Sequence, residues 1–134
     1  MKDIVVIGAG KIGSTIARML AHCGDYRVTV ADRSDEQLAA IEAHAAVSTV
    51  VVDIADAAAM KALLTGKFAV LSAAHYHLTV AIAEAAAAAG VHYLDLTEDV
   101  ESSRQVKRIA ANAKTAFIPL CGLAPGFISI VAND

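Results

Sequence analysis

Short continuous apolar runs alternate along this chain with stretches in which apolar residues recur every three or four positions. The runs are Ile4 to Ile7, Arg27 to Ala31, Ser48 to Val52, Phe68 to Ser72, His92 to Leu96 and Ala116 to Leu120. Most are rich in β-branched residues, and they read as buried strands. The first intervening stretch places Ile12, Ile16, Met19, Leu20 and Cys23 on one apolar helical face. Ser34 caps a second helix over about 35–45, with Leu38, Ile41 and Ala45 as its stripe. Asp56 caps a short third helix to about Leu64, stopped at Gly66. An alanine-rich helix runs over about 78–89 and ends at Gly90. A more polar helix covers about 100–113.

Strands that alternate with helices form a parallel sheet with helices on both faces, joined by right-handed crossovers. The expected class is α/β, a doubly wound Rossmann sheet of six strands in the order 3-2-1-4-5-6. In such a sheet, ligands sit beyond the carboxyl ends of the strands, where the strand order reverses.

The segment Val5 to Gly13, VVIGAGKIG, occupies that place. Gly8 permits the sharp turn from strand to helix, Gly10 lets the backbone approach a pyrophosphate, and Gly13 removes a side chain where the helix packs. Lys11 and Ile12 open the helix, whose free amide groups and dipole favour negative charge. Phosphate binding here needs no cluster of basic residues. Asp32 follows Gly13 by nineteen positions, at the end of the second run. The separation expected of a ribose-binding acid is about 20. A carboxylate there accepts hydrogen bonds from the ribose hydroxyls and repels a 2′-phosphate. The expected cofactor is therefore NAD, with NADP the alternative because Arg33 can stack on adenine or pair with a 2′-phosphate.

Other positions fall on the same rim. Asp53 either bonds the adenine amino group, with Ile54 packed on the base, or simply caps the next turn. Ala73 and Ala74 are small enough to let the backbone pass the middle of the cofactor. His75 is either an acid or base facing the substrate or a helix-start residue. Asp95, Glu98 and Asp99 either line the cleft or, in the preferred reading of the last two, are first-turn acids favoured by the next helix dipole.

Composition narrows the partners. With 134 residues, 57% hydrophobic and a net charge of −3, the chain suits one slightly acidic domain without the basic excess of a nucleic-acid binder. No apolar run reaches the length of a membrane span. The first strand begins almost at Met1, which leaves no room for a secretory signal, so a cytoplasmic location is expected. Cys23 and Cys121 form no CxxC pair and are expected as thiols. His75 and His77 are the one close histidine pair, without an obvious third ligand, so no metal is expected.

The stretch Ile118 to Val131, IPLCGLAPGFISIV, is not demanded by a generic nucleotide fold. Together with VVIGAGKIG, Val70 to Glu84 and GVHYLDLTED, it resembles the saccharopine dehydrogenase family. Bacterial enzymes similar to lysine 6-dehydrogenase come nearest in pattern. The resemblance covers essentially the whole chain. It implies a nicotinamide cofactor and hydride transfer at a carbon–nitrogen bond of an amino acid. Gly8, Gly10, Gly13 and Asp32 carry over to the cofactor role. Cys121, Gly122, Pro125 and Gly126 match a family motif near the junction with a second domain, and Cys121 is either a nicotinamide or substrate contact or a small core residue. One departure is Thr97-Glu98-Asp99, where relatives often carry glycines.

The resemblance divides the chain into a dinucleotide-binding domain over 1–120 and, over 121–134, the start of a connection to a missing C-terminal substrate domain. Such a piece is expected to bind cofactor without turnover, and a homodimer is possible through exposed apolar surface. The competing class is a regulatory nucleotide-sensing module of a transporter or channel, which shares the glycine motif and acts by association. A methyltransferase binding S-adenosylmethionine is a weaker third reading, opposed by the full glycine spacing.

Overall fold

The computed structural model describes residues 2–96 and 99–118. Six parallel strands form one sheet, and each crossover carries a helix. The strands are β1 (Lys2–Ile7), β2 (Tyr26–Asp32), β3 (Val47–Val51), β4 (Ala69–Ser72), β5 (His92–Asp95) and β6 (Phe117–Ile118). The helices are α1 (Lys11–Cys23), α2 (Asp35–Ala39), α3 (Ala57–Leu64), α4 (Thr79–Ala89) and α5 (Val100–Ala110), with a 3-10 turn over Tyr76–Leu78 before α4. The order β3-β2-β1-β4-β5-β6 is the doubly wound arrangement expected from the alternation.

Side chains of a strand alternate between the faces of the sheet. Ile4 and Val6 of β1 enter a core with Val28, Val30, Ala17 and Leu38, under α1 and α2. Val5 and Ile7 enter the opposite core with Val70, Tyr93, Met60, Leu64, Ile82 and Val106, under α3, α4 and α5. The continuous apolar sequence of β1 follows from this double burial. Alanines set the spacing of α4, where Ala83, Ala85 and Ala86 pack beside Ile82.

Three readings of the pattern change. The inward face of α1 is Gly13, Ala17 and Ala21, flanked by the half-buried Ile16 and Leu20. Ile12 is 50% and Met19 54% exposed, and Cys23 is also exposed. Small residues win the inward stripe because the helix start must pack tightly against the turn it leaves.

Helix α2 ends at Ala39 rather than about residue 45. Ala46 is needed by the sheet, where its carbonyl accepts from the Val28 N–H at 2.8 Å. Residues 40–46 therefore serve as the return connection, and tertiary pairing overrides their helical propensity. Helix α5 stops at Ala110, and Asn112 and Ala113 close turns onto Ile109 and Ala110.

Caps account for the remaining boundaries. Ser34, Asp56 and Asp99 each accept a backbone N–H of the first turn of α2, α3 and α5. Gly90 ends α4 in the left-handed conformation, at φ 72°.

Candidate cofactor site

The carboxyl ends of β1 to β4 open into a cleft of about 400 Å³. Gly8 and Gly10 form one wall, Asp32, Arg33 and Gln37 a second, Asp53 to Ala55 a third, and Ala73 to His75 with His77 and Leu78 the last.

The three glycines of the first wall are required for different reasons. Gly8 has φ +109°, and a Cβ there would lie 2.9 Å from the carbonyl carbon and oxygen of Ala73. Its neighbour strand and its own backbone both exclude a side chain. At Gly13 a Cβ would lie 1.8 Å from the Gly8 carbonyl oxygen. The contact is thus with the turn itself, closer in than the helix–strand packing expected. A Cβ at Gly10 would meet nothing within 4 Å, and Gly10 has ordinary extended backbone, φ −70° and ψ −171°. Among the described residues no contact demands glycine at position 10. A ligand lying against the backbone would, and Gly10 is the α1 N-cap residue, where amide groups lack helical partners.

Asp32 fastens the second wall to the first. Its Oδ2 accepts from the Ala9 N–H at 2.7 Å, and Oδ1 accepts from the Ser34 N–H at 2.8 Å. A carboxylate has about four lone-pair sites. Two are used inside the protein, and those remaining are the capacity that ribose hydroxyls need. Ser14 completes the loop by donating from Oγ to the Ala9 carbonyl at 3.0 Å. The donor-rich α1 start, the open space over Gly10 and the half-committed Asp32 together fit the diphosphate and ribose of a dinucleotide.

The structure brings Arg33, Asp53, Ile54, Ala73, Ala74 and His75 into this one cleft. Lys11 and Ile12 stand beside it at the exposed start of α1. Asp53 also turns the chain, accepting from the Ala55 N–H at 3.0 Å. That bond uses only Oδ1, so turn-forming and ligand-binding roles are compatible. His75 leads the 3-10 turn, its Nδ1 accepting from the His77 N–H at 3.4 Å and meeting His77 Nδ1. Gln37, Ala55 and Leu78 also line the cleft and were not singled out from the sequence; His77 lines it too and figures in the sequence only as a candidate metal ligand. His77 was legible as the neighbour of His75; Gln37, on a polar helix turn, carries no sequence signal.

The acids after β5 separate. Asp95 is buried and accepts from the Tyr93 hydroxyl at 2.6 Å. Asp99 caps α5. The Ser102 N–H at 2.8 Å, and then the Ser102 hydroxyl at 2.7 Å, hold its carboxyl below the ordinary carboxylate range. Glu98 lies outside the described residues, as do Cys121, Gly122, Pro125 and Gly126.

A family model described as the saccharopine dehydrogenase NADP binding domain matches residues 4–118. The chain belongs to the saccharopine dehydrogenase family. As its dinucleotide-binding domain, it carries the glycine turn and Asp32 within the matched region. Among solved structures it is similar to the apo saccharopine dehydrogenase (L-Glu forming) of Saccharomyces cerevisiae, with a TM-score of 0.85 and 20% identity. That match covers 98% of this chain and 30% of the yeast enzyme, so the family's shared part here is under a third of that relative. The NAD(P)-binding domain of an exopolyphosphatase-related protein from Archaeoglobus fulgidus matches with a TM-score of 0.73 and 19% identity, over 99% of this chain and 96% of that one. A Rossmann-fold NAD(P)-binding family protein from Shigella flexneri matches with a TM-score of 0.67 and 18% identity, over 89% and 66%. None of the curated proteins matches the family member described here. Among the described residues no helix is long and apolar enough to cross a membrane.

Proposed function

We propose that this chain is the cofactor-binding part of an NAD-preferring dehydrogenase acting at a carbon–nitrogen bond of an amino acid. When bound, the nicotinamide supplies or accepts the hydride. The chain's own residues bind and orient the dinucleotide. Gly8, Gly10 and Gly13 shape the diphosphate cradle, and Asp32 receives the ribose.

The observation that carries the NAD preference is the doubly anchored Asp32 carboxylate. Two unit charges about 4 Å apart repel by about 4 kcal/mol at an effective dielectric of 20. A 2′-phosphate brought to Asp32 meets that penalty from a group that two backbone donors prevent from turning away. Arg33 opposes it, but Arg33 is exposed, and exposed ion pairs contribute about 0–1 kcal/mol. The balance favours the free 2′-hydroxyl.

Calorimetric titration of NAD+ and NADP+ tests this part, with NAD+ expected to bind at least about tenfold tighter. Tighter NADP+ binding sinks it. The amino-acid part is tested on the product of the complete reading frame, assayed with NAD+ across amino acids and with NADH across imine-forming oxo acids. Turnover of none of them removes the substrate reading and leaves the cofactor reading standing.

A second reading is a regulatory nucleotide-sensing module, which shares the glycine turn and the acid at the end of β2. Ligand-dependent association without turnover favours it.

A further inference from the structure

We propose that the outer edge of β3 pairs with the same edge of a second copy of this chain, antiparallel, across a two-fold axis at Thr49. This goes beyond the cofactor reading and does not depend on it.

Strand β3 is the last strand on its side of the sheet. Its backbone groups alternate between β2 and the outside. The Val28 N–H donates to the Ala46 carbonyl at 2.8 Å, and the Val52 N–H donates to the Asp32 carbonyl at 3.0 Å. Even-numbered residues of this segment therefore face β2, and Val47, Thr49 and Val51 turn their peptide groups outward. One of those outward donors is already used, because the Val47 N–H returns to the His44 carbonyl at 3.1 Å. The outward set is thus two donors, at Thr49 and Val51, and three acceptors, at Val47, Thr49 and Val51.

That set pairs with itself through four hydrogen bonds. With the axis at Thr49, each Thr49 N–H meets the Thr49 carbonyl of the second copy, and each Val51 N–H meets the other Val47 carbonyl. The Val47 N–H stays with the His44 carbonyl, which leaves the Val51 carbonyls at the ends of the seam to water. This register pairs all five residues of the strand, with Val51 opposite Val47 and Val50 opposite Ser48. Thr49, Val50 and Val51 are exposed, Val51 to 58%.

Charge selects the occupant. Exposed edges are ordinarily protected by lysine, proline or inward charges. Ala45 to Val52, AAVSTVVV, has none of these. Pairing two copies brings no like charges together, and it joins β-branched side chains in a stripe across the seam.

Sedimentation of the chain at micromolar to submillimolar concentration is expected to give a dimer mass. Thr49→Lys is expected to give a monomer that keeps its circular dichroism and its NAD+ affinity. In a Cys23→Ser, Cys121→Ser background, Thr49→Cys is expected to form a disulfide-linked dimer on mild oxidation, since hydrogen-bonded antiparallel partners have Cα atoms about 5.5 Å apart. Ser48→Cys, displaced from the axis, is expected to cross-link poorly. A wild-type chain that stays monomeric overturns the proposal. So does a dimer indifferent to Thr49→Lys, or one that Thr49→Cys fails to trap.

Discussion

Gly10 and Gly13 stand three residues apart and separate two kinds of demand. A Cβ at Gly13 collides with the Gly8 carbonyl oxygen, whereas a Cβ at Gly10 meets open space. Gly13→Ala is therefore expected to destabilise the fold by about 3 kcal/mol or more, read by urea denaturation. Gly10→Ala should change stability by no more than about 1 kcal/mol while NAD+ affinity falls at least about tenfold, read by calorimetry. Equal effects of the two on stability would place Gly10 in the fold's own packing. The motif showed in sequence that three glycines were needed. It could not show which of them the protein's own packing requires, because that depends on what lies opposite each Cα. In sequence His75 reads as either an acid or base or a helix-start residue, and it leads the 3-10 turn while lining the same cleft as Asp32.

At the level of the element, β1 was legible because burial on both faces leaves continuous apolar sequence, whereas β3, which reads as buried from the same signal, is an edge strand with Val50 and Val51 exposed. Helix starts were legible from Ser34 and Asp56, which cap α2 and α3, whereas Asp99, which reads in sequence as a first-turn acid, is the cap of α5. The end of α2 was hidden. Residues 40–46 are good helix formers, and only the pairing of Ala46 with β2 stops them. The outward turn of Ile12 and Met19 was hidden for a related reason, since periodicity marks apolar positions without telling a packed stripe from an exposed one.

The α5 cap gives a pH prediction. The folded pKa of Asp99 lies below its unfolded value, so the unfolded chain takes up the proton first as pH falls. The cap's contribution is complete above the ordinary carboxylate range and is lost as pH drops through the lowered folded value. Asp99→Ala should lower Tm near neutral pH, and the difference from wild type should shrink in acid. A difference that stays constant with pH would show that the charge of the cap is not what matters.

For the molecule as a whole, a ligand that binds only the folded state stabilises it by mass action. NAD+ at about a hundred times its Kd is expected to add about 2.7 kcal/mol, read as a rise in Tm. Asp32→Ala is expected to weaken that rise and also to lower the stability of the ligand-free chain by about 1–3 kcal/mol, because the buried Ala9 N–H loses its acceptor. The second effect has a consequence for altering the choice of cofactor. If Asp32 sets the choice between the two dinucleotides, as proposed, the same residue is also the clasp that holds the glycine turn shut. A substitution that admits a 2′-phosphate unfastens the turn at the same stroke. Redirecting the protein to NADP therefore takes two changes, one to remove the negative charge and one to supply a new acceptor for Ala9, and the first made alone passes through a weakened intermediate.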